Sequence, residues 1–284
     1  MRQNKYLIKE AKENTNTTDA LAISDELCVR LLNRCQSFIY SFLINKNIKT
    51  KIFRSEESIT VSSSQDSYNL PSDIYAVNAI VNIQKVNGSG TTTSYEPVRQ
   101  ISEKDRGVKS GYFVTRNKIV LSPIPYSSFN LLVAYTRKLA ELGISYGTVL
   151  STTPTTIVLD TGYQDMTGIA DYFSVVNSNG EIIVNGLPIN QSGATLTVPT
   201  SVGVSAGMIV VPGYRSTTHC QLPDELESSL IFMLERLINA RLSSSDLSVS
   251  SALTEEQLSD IAEMFADNSG DSFMPPIVEY TEWA

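Results

Sequence analysis

Histidine, tryptophan and cysteine are nearly missing from this chain, with one His, one Trp and three Cys among 284 residues. Each scarcity removes a class of chemistry. His219 sits beside Cys220, with Asp224 and Glu225 following. A metal centre needs three or four convergent ligands, and neighbours in a row cannot all face one ion. Cys28, Cys35 and Cys220 show no CxxC spacing. If Cys28 and Cys35 share a helix, a rise of ~1.5 Å per residue places them about 10 Å apart, beyond disulfide reach. Reduced, buried thiols are the expectation. GxSxG, HExxH, P-loop and Rossmann fingerprints are all missing. Asp267 and Asp271 lack the alternation and closing Glu of a calcium loop. The adjacent pairs Glu56/Glu57 and Glu255/Glu256 project in different directions and give no reason for split acidities. The expectation is a non-enzyme without catalytic, cofactor-binding or metal residues.

Positive charge is also short. Lys and Arg number 22 against 30 Asp and Glu, a net charge of −8. That balance argues against wrapping nucleic acid by phosphate neutralisation, although DNA could still pass such a surface without specific binding. No apolar run approaches the ~18 residues that would cross a bilayer. The first residues, MRQNKYLIKEAKENTNTT, lack the apolar core of a signal peptide. A soluble product made in the cytoplasm, with no membrane partner, is expected.

What remains is an ordinary globular composition, 42% hydrophobic and 18% charged, in a chain long enough for two structural units. Residues 222–242, LPDELESSLIFMLERLINARL, read as a helix. Pro223 suits a first turn, and Asp224, Glu225 and Glu227 place negative charge at the positive end of the dipole. Leu226, Leu230, Met233, Leu234, Leu237, Ile238 and Leu242 recur at helical spacing, while Ile231 and Phe232 widen the apolar surface beyond one stripe. Such a helix needs more than one neighbour. A second helix begins at Ser24 as N-cap, with Leu27, Leu31, Cys35, Phe38 and Phe42 along one face and Cys28, Leu32, Ile39 and Leu43 beside them. Thr254 and Gln257 fit a capping box ahead of a shorter helix carrying Leu258, Ile261, Ala262 and Phe265.

Between the first two helices the period changes to two. Strands are expected at 58–62, 66–70, 75–86 and 95–98, as a hairpin of 112–115 with 118–121, and at 129–135, all in one antiparallel sheet that the helices cover. Asn87-Gly88-Ser89-Gly90 reads as a hairpin turn, since no strand-glycine-helix order makes it a phosphate cradle. From residue 144 to about 214 the chain turns rich in Thr, Val, Gly and Ser. Short strands are expected there at 147–150, 156–159, 173–176, 181–184, 194–198 and 208–211, the first two as a hairpin around Pro154. The last residues, SFMPPIVEYTEWA, combine prolines with apolar side chains that need burial, so docking on the chain's own body or on a partner is expected. The fold class is α+β: helices packed with an antiparallel β-sheet, plus an inserted small all-β domain, sandwich or barrel-like.

The order of these elements carries a likeness. An amphipathic N-terminal helix, Tyr68-x-Leu70-Pro71-x-Asp73 leading into a long strand, Glu96-Pro97-Val98, the hairpin GYFVTRNKIVLSPIP, a strand ending in Tyr135 and the Leu222-Pro223-Asp224-Glu225-Leu226 helix resemble the head-to-tail adaptor (connector, head-completion or tail tubular A-type) proteins of tailed bacteriophages. The resemblance covers residues 24–135 and 222–265 and leaves out 144–214. It implies a structural virion protein of the neck or tail, made in the host bacterial cytoplasm. Copies would form a homo-oligomeric, dodecameric ring that joins the portal to a downstream tail or nozzle protein and continues the DNA channel. Its domains would be a flexible arm at 1–17, an adaptor core of 18–142 and 215–267, the β insertion at 143–214 and a docking tail at 268–284. Ring packing would fall to Leu31, Phe38, Phe42, Leu230, Phe232 and Leu237. Contact with the portal or a neighbouring subunit would fall to Phe273, Met274, Pro275, Pro276, Ile277, Val278, Tyr280 and Trp283. The alternative is a carbohydrate-binding, adhesin-like virion module, with Tyr163 and Tyr172 of the insertion as stacking residues.

Overall fold

Ser24 opens its helix as its position predicts: the side chain accepts a hydrogen bond from the Leu27 amide at 3.2 Å, and Asp25 and Glu26 occupy the first turn of α2 (Asp25–Asn45). The structure, a computed structural model, describes residues 2–18, 22–46, 53–84, 94–201, 203–245 and 248–266, with backbone alone at 77–84, 94–96, 250 and 266. These residues form two compact units, one within Met1–Lys49 and Leu139–Asp267, the other within Thr50–Lys138.

The first unit joins helices to the insertion. After a 3-10 turn at Asp224–Leu226, α3 (Glu227–Leu242) packs against α2 and against a helix the sequence reading did not expect. Residues 4–14 belong to the expected flexible arm but form α1 (Asn4–Asn14), with Leu7, Ile8 and Ala11 buried. Three apolar side chains in a polar stretch make a weak periodic signal. It is the wide apolar surface of α3 that gives them somewhere to go. The capping box is present: the Gln257 amide donates to Thr254 Oγ1 at 3.2 Å and the Thr254 amide to Gln257 Oε1 at 3.0 Å, at the start of α4 (Glu255–Ala266).

The second unit is built from β1 (Arg54–Val61), β2 (Ser67–Asn69), β3 (Ile74–Gln84), β4 (Ser94–Pro97), β5 (Gly111–Thr115), β6 (Lys118–Ser122) and β7 (Phe129–Arg137). The expected single sheet is two sheets, one in the order β1-β7-β3-β4 and one in the order β2-β6-β5. Alternation shows which side chains share a face but not which strand pairs with which, and here β2 lies against β6, Ser67 opposite Val120. Both sheets contribute to one core, with Val61, Leu131, Val133 and Tyr135 from the first and Tyr68, Tyr112, Ile119 and Leu121 from the second. The helices belong to the other unit. The glycine-rich turn at 87–90 lies outside the described residues.

The insertion contains β9 (Gly147–Thr153), β10 (Thr156–Leu159), β11 (Tyr172–Val176), β12 (Ile182–Pro188), β13 (Gln191–Ser192), β14 (Thr195–Thr197) and β15 (Ile209–Pro212) in one antiparallel sheet of order β12-β11-β15-β9-β10-β14-β13. Thr153 pairs with Thr156, so β9 and β10 are the hairpin expected around Pro154. The edge strands β12 and β13 follow one another with only Ile189 and Asn190 between them. Three Cα steps span at most about 11 Å, so the linked ends of the two edges lie close together and the sheet curls into a barrel-like form. Leu187 from one edge strand and Leu196 beside the other edge meet in the same core as Ile157, Phe173 and Val210.

Candidate functional site

Helix α2 carries two apolar stripes. Cys28, Leu32, Cys35, Ile39 and Leu43 are fully buried, and each such aliphatic side chain contributes about 2 kcal/mol to folding. The second stripe, Leu27, Leu31, Phe38 and Phe42, is only half-buried. On α3, Leu230 and Leu237 are buried within their own unit, whereas Phe232 is 38% exposed with the Arg236 guanidinium 5.9 Å from its ring centre. The six residues expected to pack a ring therefore separate. Leu230 and Leu237 are spent on the fold of one copy, Leu31, Phe38 and Phe42 are partly open, and Phe232 faces solvent. The tail residues Phe273, Met274, Pro275, Pro276, Ile277, Val278, Tyr280 and Trp283 lie outside the described residues.

A polar latch that sequence reading missed holds the insertion to the helices. The chain leaves the helical part at β8 (Glu141–Leu142) and returns at β16 (Ser216–Thr217), and these two strands pair in parallel. Asn33 of α2 treats β8 as a neighbouring strand would: its amide donates to the Leu142 carbonyl and accepts from the Leu142 amide, both at 2.8 Å. Gln36 donates to the Ala140 carbonyl at 3.0 Å, Gln221 accepts from the Ala140 amide at 2.6 Å, and Asn4 of α1 donates to the Gly143 and Thr217 carbonyls at 3.1 and 3.2 Å. His219 is buried beside them, its Nδ1 3.0 Å from Thr218 Oγ1 and its ring under Gly180. Burial, with nearby positive charge that includes Lys5, holds its pKa below the ordinary value. Burial likewise pushes the Cys35 thiol up to about 12 and the Cys220 thiol to about 11, away from reactive thiolates. All three cysteines are free and buried. The only signal for this latch was a pair of polar residues, Asn33 and Gln36, on an apolar helix.

The acidic pairs show no convergence. Glu56 is bound to Arg54 at 2.6 Å, and Glu255 and Glu256 are exposed in the first turn of α4. Among the described residues no three His, Cys, Asp or Glu side chains are grouped to hold a metal ion, and no helix is long and apolar enough to cross a membrane. In the insertion, Tyr163 packs on the barrel core while Tyr172 stands edge-on to Tyr214, ring centres 5.7 Å apart. The two thus have different surroundings, Tyr163 against the core and Tyr172 against the Tyr214 ring.

The motif residues behind the resemblance hold the second unit together. Tyr68 donates its hydroxyl to the Gln65 carbonyl at 2.7 Å and closes the loop after β1, while Asp73 accepts from the Tyr135 hydroxyl at 2.9 Å. Lys138 donates its amide to the Asp73 carbonyl at 2.6 Å, so the start of β3 and the end of β7 are clasped together. Compared with known families, residues 6–172, more than half of the chain, match the SU10 adaptor protein family. The chain belongs to that family. It is therefore a structural adaptor of a phage virion, in a family of head-tail adaptors that work in contact with other virion proteins. No curated protein matches it. The match departs from the sequence-read resemblance at both ends. It takes in most of α1 and the first strands of the adaptor's barrel, and stops before α3.

Proposed function

We propose that copies of this adaptor stand side by side in a dodecameric ring between the portal and a downstream tail or nozzle protein, continuing the channel through which DNA leaves the head. The observation that carries this reading is the unfinished helical surface: the open stripe Leu27, Leu31, Phe38 and Phe42 on α2, with Phe232 exposed on α3. A soluble chain gains by covering such a surface, and like copies around an axis can each cover the next. The residues at 273–283 add a second apolar contact, to the portal or to a neighbouring subunit. A net charge of −8 suits a conduit that repels phosphate and does not retain passing DNA.

The test is light scattering and co-sedimentation of the protein alone and mixed with its portal. The mixture should give a ring-sized species bound to portal. Phe232→Glu, which loads charge onto an exposed position, should keep the fold and reduce ring formation at least tenfold. A Phe232→Glu protein that assembles on portal like the parent would remove α3 from the interface. A basic, DNA-retaining lumen would contradict the proposed use of the charge.

A further inference from the structure

Within the second unit, the residues after β6 form a small apolar pocket lined by Leu121, Pro123, Ile124, Pro125, Tyr126 and Phe129. Its rim is open: Ile124 is 51% exposed and Tyr126 89%. The loop carrying Val108 is tied to this corner by the Gly107 amide, which donates to Ser122 Oγ at 2.9 Å. The same stretch reverses the sign of the molecule. Residues 99–129 contain Arg99, Lys104, Arg106, Lys109, Arg116 and Lys118 against Glu103 and Asp105, a net +4 in a chain of net −8. Arg106 binds Asp66 at 2.5 Å and Lys109 binds Asp105 at 3.1 Å, while Lys104 stands exposed.

We infer that this pocket is the seat of the chain's own C-terminal segment, Phe273 to Trp283, in the unassembled protein. The segment has the matching chemistry: prolines and large apolar side chains to fill an apolar, proline-walled pocket, and Asp267, Asp271, Glu279 and Glu282 without one basic residue, a net −4 across 267–284. Seventeen extended residues beyond Ala266 reach about 55 Å, more than the ~30 Å width of a small domain. Tethering supplies an effective concentration in the millimolar range, so a weak fit suffices. Docking there would hide the apolar tail and pocket from water until assembly offers the tail another surface. The inference stands apart from the ring: the pocket, the charge pattern and the tail belong to a single copy.

Trp283, the one tryptophan, reports on it directly in the full chain. In the parent protein its emission should be blue-shifted and shielded from acrylamide. Combined Ile124→Ser and Tyr126→Ser changes, at exposed positions, should raise the quenching constant severalfold without altering far-UV circular dichroism, and Lys104→Glu should move it the same way. Shielding unchanged by these substitutions, or a Trp283 already open in the parent, overturns the inference. Shielding lost on dilution also overturns it, by making a second copy the occupant. None of these results bears on portal co-sedimentation, which tests the ring separately.

Discussion

Single side chains decide more in the latch between helices and barrel than anywhere else in this adaptor. His219 is held neutral by burial, its pKa below the ordinary value. As pH falls through the ordinary histidine range near ~6.5, the unfolded chain takes up a proton that the folded chain refuses. The stability owed to the neutral ring is therefore present above that range and lost below it. The urea midpoint should fall between about pH 7.5 and about pH 5.5, and His219→Asn should flatten that dependence. Gly180 sits over the same ring at φ +78°, and a Cβ there would lie 2.4 Å from His219 Cβ. Gly180→Ala meets both backbone strain and overpacking and should cost about 3 kcal/mol, read from chemical denaturation. Neither residue announced itself in the sequence. A lone His and one of 15 glycines have no pattern, and their pairing joins positions 39 residues apart.

At the scale of elements, local chemistry was legible wherever the partner lay within a few residues. The Ser24 cap, the Thr254 and Gln257 box and the hairpins at Pro154 and Asn117 occur where the pattern puts them. Thr254→Ala should remove about 1 kcal/mol from α4 and speed amide exchange in its first turn, with the other helices unaffected. Long-range pairing was not legible. Asn33 makes two hydrogen bonds to β8, and replacing it with Leu would leave a buried carbonyl and amide unpaired. Asn33→Leu should cost about 2–4 kcal/mol, measured as a lower thermal midpoint, even though it makes α2 more apolar. An α1 that stayed folded and a barrel that stayed protected in this variant would show that β8 does not depend on the helix.

At the scale of the whole molecule, strands 54–137 fall within one compact unit, and the helices with the insertion, linked through β8 and β16, fall within the other. Assembly is the property of this scale. If apolar stripes on α2 and α3 close between copies, ring formation should resist salt, because burial of Leu31, Phe38 and Phe232 is not screened as surface ion pairs are. Sedimentation of the portal mixture at low salt and at 1 M salt should therefore give similar occupancy. Loss of the ring at high salt would point to charged contacts as its main cement.

Sequence alone settled what repeats locally: helix caps, hairpin turns and the change of period from helix to strand, because each depends on neighbours a few residues away. Only the tertiary structure decided that α1 is a helix, that one expected sheet is two, that the insertion's sheet curls round a single core and that Leu230 and Leu237 face inward. Those outcomes rest on which distant surface is free to receive a side chain, and spacing along a chain carries no record of that.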